Sequence, residues 1–212
     1  METANLTGVL TTAFLLCSGT IVESQSTRTD AFELGVEAVR AGKILEAYEH
    51  FEPLAFAGNH RAQFNMATLL KSGRGKPQNY TEALKWAILA HIGGISRAAE
   101  LTEALTQFVP EAELETVREE VQTQLLRLLD EGNREAILQY ARFNLDFLAE
   151  PDFQIALRWQ LIAAALDING ASELRDQTAE QMVPEDVLLV QQETSELFKT
   201  DDLAARFAVK TD

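Results

Sequence analysis

The sequence predicts an all-α chain in which helical hairpins stack into a solenoid, and three observations carry that prediction. From Asp30 onward apolar residues recur at spacings of three and four, the period of a helix with a buried face rather than of a strand. Glycines fall in the gaps between the periodic runs, at Gly42, Gly58, Gly73 with Gly75, Gly93 with Gly94, Gly132 and Gly170. The chain also repeats itself: Gly58-Asn59-His60-Arg61-Ala62 returns 74 residues later as Gly132-Asn133-Arg134-Glu135-Ala136. Such internal periodicity belongs to arrays of short helices, each covering the next.

Composition sets the limits. The 212 residues are 46% apolar and 24% charged, enough for a core that stands alone and too apolar for a disordered chain. Only 11 Gly and 5 Pro are present, which argues against a turn-rich all-β fold. The 18 basic and 33 acidic residues leave a net charge of −15. That surface repels phosphate backbones, so nucleic acid is excluded as a first choice of partner. A single cysteine, Cys17, rules out an internal disulfide framework and a multi-cysteine metal site.

Taken in order, the chain opens on an uncharged apolar stretch, Leu6 to Cys17. It is too short to span a bilayer and has the length of a secretory h-region. Small residues precede a cleavage position near Ser24-Gln25, so residues 1–24 are expected to be a signal peptide and 25–29 a linker. The first basic residue is Arg28, which leaves open an uncleaved helix or a misplaced start, and with it a cytoplasmic chain. Leu16 is too large to precede a lipidated Cys17. A single domain, 30–212, follows. Its first hairpin, 30–58, has Phe32, Val36 and Val39 on one helical face, then Ile44, Tyr48 and Phe51 on the next. The second, 59–94, contains Leu84, Ile88 and Ile92, and Asn79 followed by Glu82 has the logic of a capping box. The third and fourth are 95–131 and 132–169, and the fifth is 170–199. Gly58 and Gly132 lie where a helix C-terminal glycine is usual. Pro110 and Pro184 suit first turns, where no backbone donor is lost. Residues 201–209 form a cap, with Leu203, Phe207 and Val209 covering the last hairpin.

The duplication extends beyond the first match. Tyr80, Ala83, Leu84, Lys85, Trp86 and Ala90 correspond to Phe153, Ala156, Leu157, Arg158, Trp159 and Ala163, 73 residues on. Ile95, Glu100 and Leu101 correspond to Ile168, Glu173 and Leu174, and Val109-Pro110-Glu111 returns as Val183-Pro184-Glu185. The small residues Ala62, Ala67, Ala83 and Ala90 mark close helix approach, and Trp86 fills the space between hairpins.

The run from Ala62 to Gly73, then Gly75-Lys76-Pro77-Gln78-Asn79-Tyr80-Thr81-Glu82-Ala83-Leu84-Lys85-Trp86 to Ala90 and Gly93, resembles a Sel1-like repeat, a helical hairpin related to tetratricopeptide repeats. The likeness covers residues 59–93 well and 133–170 less closely, where the turn reads Ala149-Glu150-Pro151-Asp152-Phe153. Residues 30–58 look like the degenerate hairpin that precedes such repeats. Ala67, Asn79 and His91 depart from the family's glycine, acidic turn residue and closing alanine. The resemblance implies a right-handed superhelix, and a scaffold or adaptor that binds a protein or peptide, in many bacterial members at the cell envelope. Some cysteine-rich relatives bind or hydrolyse β-lactams, and a chain without cysteine in its repeats does not resemble that branch. The alternative is an envelope hydrolase, acting for example on peptidoglycan or β-lactams, on the same frame.

Catalytic patterns are wanting. His50, His60 and His91 have no partner histidine at metal-ligand spacing and read as ordinary surface or turn residues. Gly73-Arg74-Gly75-Lys76 is followed by Pro77 where a phosphate loop needs Ser or Thr. No Gly-x-Ser-x-Gly or His-Glu-x-x-His pattern appears. Asn79-Tyr80-Thr81 is a formal glycosylation sequon that reads better as a helix cap. No catalytic residue, metal or cofactor is therefore expected. In hairpin solenoids the first helix of each pair lines the concave face, which places Arg61, Thr68 and Lys71 in the groove. By the duplication, Glu135 and Arg142 take corresponding places one unit on. Basic groups in an acidic chain would attract an acidic segment of a partner.

Overall fold

The computed structural model describes residues 20–200 and 202–208, with side chains from Asp30. Eleven helices follow one another: α1 (Thr20–Arg40), α2 (Ile44–Phe56), α3 (His60–Ser72), α4 (Tyr80–Ile92), α5 (Ser96–Thr106), α6 (Glu111–Asp130), α7 (Glu135–Asp146), α8 (Phe153–Ala165), α9 (Ala171–Ala179), α10 (Pro184–Thr200) and α11 (Leu203–Arg206). No strand occurs among the described residues, and the chain is an all-helical solenoid. The apolar stretch Leu6 to Cys17 and Val209 lie outside the described residues.

Helix boundaries follow from local chemistry. The Asn59 side chain accepts from Ala62 N–H at 2.9 Å, and Asn79 accepts from Glu82 N–H at 3.1 Å and from the Thr81 hydroxyl. The sequon is therefore built as a cap. Asp152 and Asn133 serve α8 and α7 in the same way. Gly58, Gly73 and Gly132 take positive φ just past α2, α3 and α6. Gly132 also stands where a Cβ would lie 2.5 Å from the Arg206 carbonyl oxygen, so both its conformation and its neighbour require glycine.

The duplication is structural. α3, α4, α5 and α6 recur as α7, α8, α9 and α10, and the pairs that pack in the first unit, α3 on α4, α5 on α4 and α6 on α4, have their equivalents in the second. The hub of the first unit is α4, eight of whose thirteen residues are buried, around its whole circumference. Ala83, Ala87 and Ala90 are fully buried there and let neighbours approach, while Trp86 fills the gap they leave. The fully buried Gln63 of α3 donates to the Ala55 carbonyl at 3.0 Å, tying the second hairpin to the first.

Three expectations change. The stretch 25–29, expected as a linker, is helical, because nothing between Thr20 and Arg40 breaks a helix except Gly35, whose missing side chain admits the Phe51 ring. The segments 95–131 and 170–199 each hold two helices, but α5 and α6 scarcely touch, nor do α9 and α10. α5 has one buried stripe, Ala98, Thr102 and Leu105, and spends it on α4. α6 lays Val117, Val121 and Leu125 on α4 and α7 instead. Finally, Leu203 and Phe207 are buried as expected of a cap, but their segment is anchored at the α6–α7 turn and the end of α8. Arg134 there donates at 2.6 Å to both the Phe207 and Leu166 carbonyls. By the repeat, this is where the last turn of α6 sits against Gly58 in the first unit.

Trp86→Ala should cost about 3–5 kcal/mol in unfolding experiments, the usual cost of removing a fully packed tryptophan; an unchanged melting temperature would show that α4 does not depend on it. Gly132→Ala should lose about 1–3 kcal/mol through the left-handed backbone alone, before any displacement of the C-terminal segment.

Candidate functional site

Two guanidinium groups stand on the face made by α1, α3 and α5, that of α3 held over a ring of α1 and that of α5 over a ring of α3. The Arg61 guanidinium lies 4.1 Å from the centre of the Phe32 ring, and that of Arg97 lies 5.0 Å from the Phe64 ring. The pattern arises from the repeat: each arginine is the second residue of its helix, 36 positions apart, and each ring projects from the helix two before. Stacking on an aromatic face uses the apolar plane of a guanidinium and leaves its N–H edge for solvent or a ligand. Arg61 keeps 64% of its side chain exposed. Glu33 is the one described carboxylate within 4 Å of either group, at 3.7 Å from Arg61. On α3, Thr68 is exposed and donates its hydroxyl to the Phe64 carbonyl, while half-buried Lys71 has no described carboxylate within 4 Å.

Glu135 and Arg142 occupy other surroundings. Glu135, on the first turn of α7, comes within 3.9 Å of His60 Nε2 at the start of α3. Arg142 makes an ion pair with Asp146 one turn on, at 3.2 Å. No hydrogen bond or ion pair among the described residues joins either to Arg61, Thr68 or Lys71. The structure thus brings three of the five expected residues onto α3, adds Arg97, and places the other two on a separate helix. Arg97 escaped sequence reasoning because its role lies in a ring 33 residues away; the signal present was its 36-residue spacing from Arg61.

Two histidines expected as ordinary surface sit instead at helix junctions. His60 Nδ1 bonds with the Gln63 amide and Nε2 with that of Gln139, each at 3.0 Å, and its ring packs where Gly93 leaves no side chain. His91 lies edge-on to Phe147 at 5.4 Å, its Nδ1 buried without a described partner. Burial, with the Arg142 charge beside it, holds its pKa below the ordinary 6.5, against the opposing pull of Asp146.

A cavity of about 360 Å³ lies between α2, α4 and α6. Phe56 stands edge-on to Trp86 at its rim, with ring centres 5.0 Å apart. Both of its cations are matched within the chain: Lys85 pairs with Glu120 at 2.9 Å, and Arg127 with Glu131. Gln124 and Arg127 both donate to the Phe56 carbonyl, closing the end of α2. This cleft is a seam between helices, in which the Trp86 Nε1–H is buried without a described partner. Among the described residues no three His, Cys, Asp or Glu side chains converge to hold a metal, and no helix is long and apolar enough to cross a membrane.

No family model matches the chain. No curated protein matches it either. Among solved structures it is similar to a protective antigen present in uropathogenic Escherichia coli strains and displaying an SLR fold. Identity is 20%, with 90% of this chain covered and a TM-score of 0.36. The chain spans about half the length of that protein, of which 50% is covered.

Because the folded chain holds His91 neutral, the unfolded chain takes up the proton more readily below about pH 6.5. Stability should be full above that value and fall as pH drops through the lowered folded pKa. The melting temperature of the native chain should therefore fall more steeply than that of His91→Ala between about pH 6.5 and 5. Parallel profiles would show that His91 does not titrate differently on folding.

Proposed function

We propose that the chain is a non-catalytic scaffold of the Sel1-like kind that captures a protein partner, and that the α1–α3–α5 face takes an acidic segment of it. The observation that carries this reading is the pair of guanidiniums held over Phe32 and Phe64. In a chain of net charge −15 they make a local contrast, already positioned and with little side-chain entropy left to lose on binding. Lys71 adds a third cation, on α3 with Arg61. The repeat pattern at 59–93 supports the family reading, and the helical frame supplies the rigid elements on which such a face works.

We further propose export to the bacterial envelope, on the strength of the apolar leader. Cleavage near Ser24-Gln25 would trim the start of α1 and leave Phe32, Gly35 and Ala38, the residues that pack on the core. Mass spectrometry of the mature N-terminus from the native host decides this; recovery of intact residues 1–24 from cytosol contradicts it.

The face is tested by replacing Arg61, Lys71 and Arg97 together with Ser and retrieving partners from an envelope fraction. Retrieval should fall several-fold while melting changes little, since exposed substitutions usually cost less than about 0.5 kcal/mol each. A control removing the exposed cations Arg40, Lys43 and Arg74 should retain capture. Equal retrieval by all three proteins contradicts the assignment.

A further inference from the structure

Among the described residues, the internal duplication leaves open in the second unit a surface that the first unit covers. Between α8 and α10 lies a recess of about 340 Å³ lined by Leu161, Ala165, Gln191, Thr194, Ser195 and Phe198, with Lys199, paired to Glu196 at 2.7 Å, at its edge. Along α10 the buried Val190 and Thr194 fall on the buried Val117 and Val121 at an offset of 73, one less than the Val-Pro-Glu match before it, and at that offset the first six positions correspond to Ile88, Ile92, Arg118, Val121, Gln122 and Leu125. In the first unit that surface is where α7 sits, packed on α6 and reaching α4. Ile88 and Ile92 are each 5% exposed there, and Val121 and Leu125 are fully buried. The polar positions of the set hold α7 directly. Arg118 donates to the Phe147 carbonyl at the end of α7 at 3.0 Å, and the Gln122 amide donates to the Tyr140 hydroxyl at 3.1 Å. Gln191 and Ser195 stand at the equivalent points, offering an amide donor and a hydroxyl. One turn before Gln191, Leu188 is 57% exposed and extends the apolar floor; its counterpart in the first unit is the charged Glu115.

We infer that this recess is a seat for an amphipathic helix of a partner protein, lying across α8 and α10 as α7 lies across α4 and α6. The occupant carries an apolar stripe with an α7-like spacing, in which Ile137, Tyr140 and Phe143 are buried, and its polar flanks are basic. Basic flanks follow from the −15 net charge, which speeds encounter with a cation and slows it with an anion. The same charge disfavours a second copy of this chain. So does the packing of its helices: the stripe of α1 at Phe32 and Ala38 and that of α7 are already buried within the chain. The inference goes beyond the scaffold reading above and uses none of Arg61, Lys71 or Arg97, so either can fail without the other.

The probe is a fluorescein-labelled peptide with the sequence of residues 134–148, carrying Glu135→Lys and Asp146→Lys to make its flanks basic. It is titrated with the full chain and followed by anisotropy. The expected result is saturable binding that weakens at least tenfold in Ser195→Arg and in Ala165→Glu. Both positions are exposed, so both variants should melt with the native chain. Glu103→Arg, on α5, should bind as the native chain does. The inference is overturned by absence of saturation up to about 1 mM chain, or by equal binding in the native chain and both recess variants. It is also overturned by a native dimer in sedimentation that Ser195→Arg dissociates, since the seat would then belong to a second copy.

Discussion

A helix that is apolar around its whole circumference cannot be satisfied by one partner, and α4 is such a helix. Two-layer packing buries one stripe, whereas α4 buries eight of thirteen residues and needs neighbours on several sides. α3, α5, α6 and α7 supply them. This explains why the structural unit is four helices rather than one hairpin. It also explains why α5 and α6 part company after the Val109-Pro110 connection, each recruited to α4 instead of to the other. The fully buried Ala83, Ala87 and Ala90 make the arrangement possible, because four helix axes can crowd one hub only where its side chains are short. Trp86 then occupies the volume that the alanines leave.

Much of this was legible in the sequence because it is local. Glycines at positive φ and Asn or Asp caps act over three or four residues, so the ends of α2, α3, α4, α7 and α8 fall where the pattern puts them. The duplication was legible because the hub positions repeat by identity. What was not legible is which stripe meets which. A buried face at Ala98, Thr102 and Leu105 tells that α5 has a neighbour and not that the neighbour is α4 rather than α6. The same applies to the site. Arg61 reads as exposed and basic from its place in the helix, but the ring beneath it belongs to α1 and the ring under Arg97 to α3. His60 and His91 looked ordinary because their environments are built by α7, more than fifty residues downstream.

The two halves also show where a duplicated frame is free to differ. Positions that cover the hub are constrained by volume, and Ala83, Leu84 and Trp86 persist as Ala156, Leu157 and Trp159. Positions facing outward cost little to change. Phe64 and Arg97, a stacked pair in the first unit, become Leu138 and Gly170 in the second, so the device that fixes a cation is lost there. Conversely Glu115 and Arg118, part of a charged cluster with Glu111 beside α7, become Leu188 and Gln191 on α10. An Arg held on a ring face keeps its position when salt screens its charge, because part of its attraction comes from a desolvated contact. An apolar seat is likewise insensitive to salt. On the two proposals made above, one frame presents surfaces of different chemistry, one for carboxylates and one for an apolar stripe. The separation follows from packing itself, since the hub fixes the helices and leaves only their outer faces to vary.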